Sequence, residues 1–131
     1  MAIELQGFKF TAIAGADLSA KQYHFVKISA DMTVTVCAAL TDIPCGVLQN
    51  APPQYGAAEV MVFGISKVVT AAAIAYGVQV GCDANGHAIL VDPDGALDYY
   101  YCGIMVVSTG GASEIGSALI NCAAPVITAK S

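Results

Sequence analysis

Along this chain apolar and polar residues alternate with a period of two in short runs, and almost nowhere with the longer period of an amphipathic helix. Phe8–Ile13 alternates large apolar with polar side chains, which predicts a half-buried strand, and Tyr23–Ile28 repeats the pattern less regularly. Thr33–Cys37 is a β-branched strand. Cys45–Val69 reads as the scaffold around which the rest is organised. It predicts a short strand at Cys45–Leu48, a wide turn at Asn50–Gly56, and two apolar strands, Val60–Phe63 and Ile65–Val69, parted by a bulge or bend at Gly64. Thr70–Ala75 is Ala-rich and predicts a loop or one helical turn, too short to stand as a helix. Tyr76–Gly81 and His87–Val91 flank Asp83-Ala-Asn-Gly86, where Asn-Gly predicts a type I′ hairpin. A turn at Asp92–Gly95, a long strand Asp98–Val107, a break at Gly110-Gly111 and a closing strand Ile115–Cys122 complete the pattern. Turn signals about every ten residues predict an all-β fold, a small β-barrel or β-sandwich. The length predicts one domain over residues 1–131, with Met1–Phe10 as an extended arm or first edge strand.

The chain echoes itself. Cys45-Gly-Val-Leu48 matches Cys102-Gly-Ile-Met105 at an offset of 57 (102 − 45). Each is followed by a small-residue turn, an acidic residue (Glu59, Glu114) and another apolar strand, and each is preceded by a strand and an Asp-containing turn (Asp31, Asp83). Two copies are too few for a solenoid, so the reading is two related β-units packed together.

Composition sharpens the picture. Hydrophobic residues make up 56% and charged residues only 11%, against about 25% charged in ordinary globular chains. A surface so poor in charge favours association. The net charge is −5, there is no arginine, and Lys9, Lys21, Lys27, Lys67 and Lys130 are scattered, which argues against nucleic-acid binding. No basic-then-apolar leader opens the chain and no apolar run is long enough to span a bilayer, so the expectation is a soluble product of the cytoplasm with no membrane contact. Cys37, Cys45, Cys82, Cys102 and Cys122 show no Cys-x-x-Cys spacing. All but Cys45 sit inside apolar runs, which predicts buried free thiols and a reducing compartment.

Candidate chemistry is sparse. Asp92, Asp94 and Asp98 crowd one turn but lack the further oxygen ligands and terminal Glu of a calcium loop, so no metal is expected. His24 and His87 stand alone in strands. Cys82 and His87 could approach across their hairpin, yet no third group or oxyanion site accompanies them. Ser108–Gly111 lacks the pattern and the following helix of a phosphate loop. Lys67 lies mid-strand and does not fit a swinging carrier lysine. The reading is a protein without catalytic residues, metal or cofactor.

Four segments carry a family resemblance: Ala16–Tyr23 with Phe25–Ile28, Thr41–Asn50, Gly56–Val68 and Val80–Ala88. In order and spacing they resemble the capsid decoration (cement) proteins of tailed phages, over roughly residues 8–120. The resemblance implies a small trimeric β-protein on the outside of an icosahedral head, clamping neighbouring major capsid subunits with N-terminal arms or loops, and carrying no catalytic residues. The cysteines and Tyr99-Tyr100-Tyr101 depart from that pattern. The expected partners are the major capsid protein and further copies of the chain. A clamp needs stiff strands and little charge to desolvate. The candidate contacts are Ile3, Leu5, Phe8 and Phe10 at the N-terminus and Pro52, Pro53 and Tyr55 in the wide turn. The competing reading is a carbohydrate- or ligand-binding β-module, for which Tyr99–Tyr101 is the one aromatic cluster.

Overall fold

Strands account for all the regular structure in residues 2–3, 5–91, 100–123 and 125–127, which the computed structural model of the protein describes. In chain order they are β1 (Leu5–Ala14), β2 (Phe25–Ala30), β3 (Thr33–Val36), β4 (Gly46–Leu48) and β5 (Ala57–Val69). They continue as β6 (Gln79–Cys82), β7 (Ala88–Leu90), β8 (Tyr100–Val107), β9 (Ile115–Asn121) and β10 (Val126–Ile127). The all-β expectation therefore holds, and the differences lie in local chemistry.

Of the two readings of the N-terminus, arm or strand, Leu5–Phe10 takes the strand, paired along β5. β2 starts two residues late because Tyr23 takes a positive φ of 67°, a turn conformation that no strand continues through. The apolar runs expected on either side of Gly64 form one thirteen-residue strand, β5, with Gly64 inside it. Thr70–Ala75 forms no helix, because its backbone has partners across the fold. Thr70 bridges Ala88, Ile74 bridges Thr109, and the Thr70 hydroxyl donates to Thr109 Oγ1 at 3.0 Å. The hairpin at Asp83–Gly86 forms, but not as type I′, which needs positive φ at both central residues. Only Gly86 has it (77°), and Asp83 Oδ1 accepts the N–H groups of Asn85 and His87, each at 2.8 Å. The Asp92–Gly95 turn and the start of the strand expected from Asp98 lie outside the described residues.

The pairings close twice. β1 pairs β3 in parallel, β3 pairs β2, β2 pairs β4, β4 pairs β5, and β5 returns to β1. These five strands make one small ring. A second ring runs β5–β9–β8–β6–β7, and the parallel bridge from Thr70 to Ala88 closes it back onto the end of β5. β5 is thus the last strand of the first ring and the first strand of the second. Its N-terminal half meets β4 at Val60 and Met61, and from Phe63 onward that edge meets β9.

The two rings repeat each other position by position. Val26 faces Val36 in the first, and Val80 faces Leu90 in the second, both 54 residues on (80 − 26; 90 − 36). Val26 also faces Gly46, as Val80 faces Gly103, 57 residues beyond Gly46 (103 − 46). The parallel pair Ala14–Val34 returns as Thr70–Ala88. Positive φ angles recur in step: Tyr23 with Gly77, Met32 with Gly86, Tyr55 with Ser113. The sequence echo at Cys45 and Cys102 is therefore the trace of a duplicated unit. Its flanking residues need correction: the counterpart of Asp31 is Asn85 rather than Asp83, and that of Glu59 is Ser117 rather than Glu114. Gly46 and Gly103 share a reason for being glycine. A Cβ at Gly46 would run into Val60, and one at Gly103 would come within 2.8 Å of the Leu119 carbonyl oxygen.

Ala12, Leu18, Val26, Val34, Leu48 and Val60 fill the first ring. Val68, Val80, Ala88, Met105, Ala118 and Ile120 fill the second. The second cluster also takes in Phe25, Val47, Met61 and Cys37 from the outer wall of the first ring, so that wall is buried where the two rings meet. As expected, Cys37, Cys82, Cys102 and Cys122 are buried, and Cys45 is half-buried.

Candidate association surfaces

The wall that is buried on the first ring is open on the second. Phe25, Val47 and Met61 are register partners across β2, β4 and β5, and all are inaccessible. Their counterparts Gln79, Ile104 and Leu119 are register partners across β6, β8 and β9, and all are exposed. The row continues through Ile65 on β5 to Leu5 on β1. Beside it Phe8 faces Phe63, and both stay more than half exposed, at 65% and 52%. A shallow cleft of about 350 Å³ lies on this wall, and none of the described residues lining it is charged. Five strands thus present an aliphatic and aromatic face that water solvates poorly.

The N-terminal candidates reach this region by pairing. Ile3 is pinned to the second ring: its N–H donates to Ser117 Oγ, and that hydroxyl donates to the Ile3 carbonyl, both at 2.6 Å. Leu5 and Phe8 are exposed on β1, whereas Phe10 packs against both core clusters and leaves less side chain for a partner.

The wide turn makes a second surface. Asn50 fastens its base, with Nδ2 donating to the Ala57 carbonyl at 2.9 Å and Oδ1 accepting the Glu59 N–H at 3.0 Å. Pro52 is buried, and its carbonyl accepts the Leu18 N–H at 3.0 Å. Gly56 N–H closes a turn onto the Pro53 carbonyl at 2.9 Å, and Tyr55 N–H donates to the Ala14 carbonyl at 2.8 Å. Tyr55 sits at φ 68°, strained for a residue with a side chain, and the residue is 78% exposed. Pro53 and Tyr55 project from a loop that is itself held fast. Of the seven candidates, Pro52 and Phe10 act mainly as anchors, and the other five present side chains to solvent. The sequence reading missed Ile104 and Leu119, which have the composition of core residues yet are exposed.

Contact with the Cys82 thiol and then burial push Cys37 far up, contact with Cys122 and burial push Cys102 up, and burial pushes Cys45 up to about 11. Cys82 is buried against Cys37, while His87 Nδ1 lies 3.8 Å from Asp83 Oδ2 and its ring centroid 4.9 Å from that of His24. Among the described residues no group of three or more His, Cys, Asp or Glu side chains could hold a metal ion. Among them, too, no helix is long and apolar enough to cross a membrane.

His24 carries a pH prediction. It is buried, its Nδ1 lies 3.1 Å from the Gln22 carbonyl, and desolvation lowers its pKa from 6.5 despite that bond. The folded protein therefore favours the neutral ring, and the unfolded chain takes up the proton more readily. That share of stability is complete above pH 6.5 and is lost as pH falls through the lowered folded-state value. Thermal midpoints measured from pH 8 down to pH 5 should fall below the ordinary histidine pKa, about 6.5, and His24→Phe should flatten that part of the slope.

No model of a known protein family matches the sequence, and no curated protein matches it. Among solved structures the chain is similar to the N base of the head fiber gp8.5 in bacteriophage phi29. The superposition gives a TM-score of 0.65 over 88% of this chain and 94% of that one, at 18% sequence identity. The likeness is one of fold, and it spans both rings.

Proposed function

We propose that this protein is a structural component of a phage virion, a decoration protein that binds the outer surface of an icosahedral head and stabilises contacts between major capsid subunits. The fold shared with a phage head fiber base is the observation that carries this reading. The resemblance of Ala16–Ile28, Thr41–Asn50, Gly56–Val68 and Val80–Ala88 to decoration proteins points the same way. Loops fastened by backbone hydrogen bonds and exposed apolar residues suit a clamp. In this reading the chain forms a homotrimer, and Tyr55 with Pro53 and Phe8 with Leu5 touch the capsid.

The test is co-sedimentation of the purified protein with phage heads lacking it. Tyr55→Asp and Phe8→Asp, both at exposed positions, should each weaken binding at least tenfold, about 1.4 kcal/mol, with the melting temperature unchanged. Full head occupancy by both variants would sink the assignment of contacts, and absence of binding by the unaltered protein would sink the reading itself. The ligand-module alternative draws on Tyr101, which lines the cleft, but among the described residues the cleft offers only Gln79 and Asn121 as further polar side chains beside Ile104 and Leu119. Glycan binding abolished by Tyr101→Ala would favour it.

A further inference from the structure

The internal repeat leaves two half-interfaces over. Inside one chain, the rim of the second ring sits on the outer wall of the first. Cys82, Cys102 and Cys122 join Phe25, Val47 and Met61 in one cluster. The Phe25 N–H donates to the Gly86 carbonyl at 2.8 Å, and Cys82 lies against Cys37. The repeat supplies a counterpart for each side. On the rim of the first ring, Ile28 corresponds to Cys82 and Cys45 to Cys102. On the wall of the second ring, Ile104 corresponds to Val47 and Leu119 to Met61.

Both leftover halves are apolar. On the rim, Ile28 and Ile43 are 63% and 55% exposed. The Ile43 loop is held in place by Asp42, which accepts the Ala38 and Ala39 N–H groups and pairs with Lys27 Nζ at 2.9 Å. On the wall, Ile104 and Leu119 are 43% and 44% exposed. A tandem repeat whose units bury one such contact internally carries the same contact, unmade, at its two ends.

We propose that a second copy of this chain fills it: the Ile28–Ile43–Cys45 rim of one copy docks on the Ile104–Leu119 wall of the next. The contact is heterologous, so copies join head to tail, and a rotation that closes gives a ring of fixed size. Substituting the wall residues changes how copies meet without touching the wide turn. The inference rests on the internal repeat and not on the virion reading, and because Leu5 lies in the wall's row and Phe8 beside it, Tyr55→Asp is the head-binding variant that leaves both halves unaltered.

Two variants test it, each with one half blocked: Ile28→Asp on the rim and Leu119→Asp on the wall. Light scattering should give the unaltered protein a discrete multiple of the 13.3 kDa chain mass, and each variant the mass of one chain. Mixed in equal amounts, the two variants should form a one-to-one complex, because each keeps the half that the other has lost. A monomeric unaltered protein at high micromolar concentration would overturn the proposal. So would variants that stay above the mass of one chain, the result expected if like surfaces pair with like, or a mixture that stays monomeric. Should either aspartate unfold the chain by circular dichroism, Ile43→Asp and Ile104→Asp block the same two halves and give the same readout.

Discussion

Valine at position 64 is expected to destabilise the protein by about 4 kcal/mol, the sum of backbone strain and overpacking. Two independent obstacles meet there. Gly64 has a φ of 138°, a region that side-chain-bearing residues rarely enter. A Cβ built on it would lie 2.9 Å from the Gly7 Cα and 3.3 Å from Met61 Sδ. Neither can be relieved cheaply, because Gly7 belongs to β1, which pairs β5 from Leu5 to Ile13. The approach is mutual, since a Cβ on Gly7 would strike the Phe63 carbonyl. Position 64 is also where β5 leaves the first ring for the second, so a local shift disturbs both. Urea denaturation is the measurement. A control at Gly110, where a Cβ meets nothing closer than 3.6 Å, should stay within about 0.5 kcal/mol of the unaltered protein. Equal midpoints for Gly64→Val and Gly110→Val would show that β5 accommodates a side chain at the hand-over.

How much of this was legible beforehand depended on what kind of interaction decided each feature. Alternation along Phe8–Ile13 and Thr33–Val36 identified strands because one face of each meets a core, a local pattern with a direct physical cause. The glycine at position 64 was legible as an irregularity, but not as a change of partners, since pairing is set by residues far away in sequence. The same holds for Thr70–Ala75, where alanine content suggests a helical turn and contacts to Ala88 and Thr109 decide otherwise. Tyr23 and Tyr55 carry positive φ angles that no propensity for tyrosine would predict; their repeat counterparts are Gly77 and Ser113. The duplication was visible only at Cys45-Gly-Val-Leu48 and Cys102-Gly-Ile-Met105, where the glycine is sterically required in both copies. Elsewhere the rings share geometry and hardly any residues, since many small apolar sequences satisfy the same pairing. The exposed wall was the least legible feature. Ile104 and Leu119 have the composition of core residues, and only the absence of a covering layer among the described residues marks them as surface.

Met61→Ala is expected to cost about 3 kcal/mol, within the range for truncating a buried methionine, and to weaken both rings together. Met61 is inaccessible, pairs with Val47 and Lys9 in the first ring, and packs in the cluster that fills the second. Its loss opens a cavity at the one place where the two rings have no separate strands to fall back on, because β5 serves both. If the second ring unfolded alone, β5 would lose β9 over seven register pairs and the wall at Phe25 and Val47 would be uncovered. If the first unfolded alone, the second would lose the N-terminal half of its own first strand's support. Neither partial state keeps a closed ring intact beside an ordered partner, so the chain should unfold as one cooperative unit. Native-state hydrogen exchange on Met61→Ala distinguishes the cases. Amides of Val34 in the first ring and Met105 in the second should lose protection by the same free energy. Protection lost at Val34 alone would mean that the rings, although fused through a common strand, are stabilised independently. The duplicated unit would then have kept the autonomy that sharing β5 is here argued to have removed.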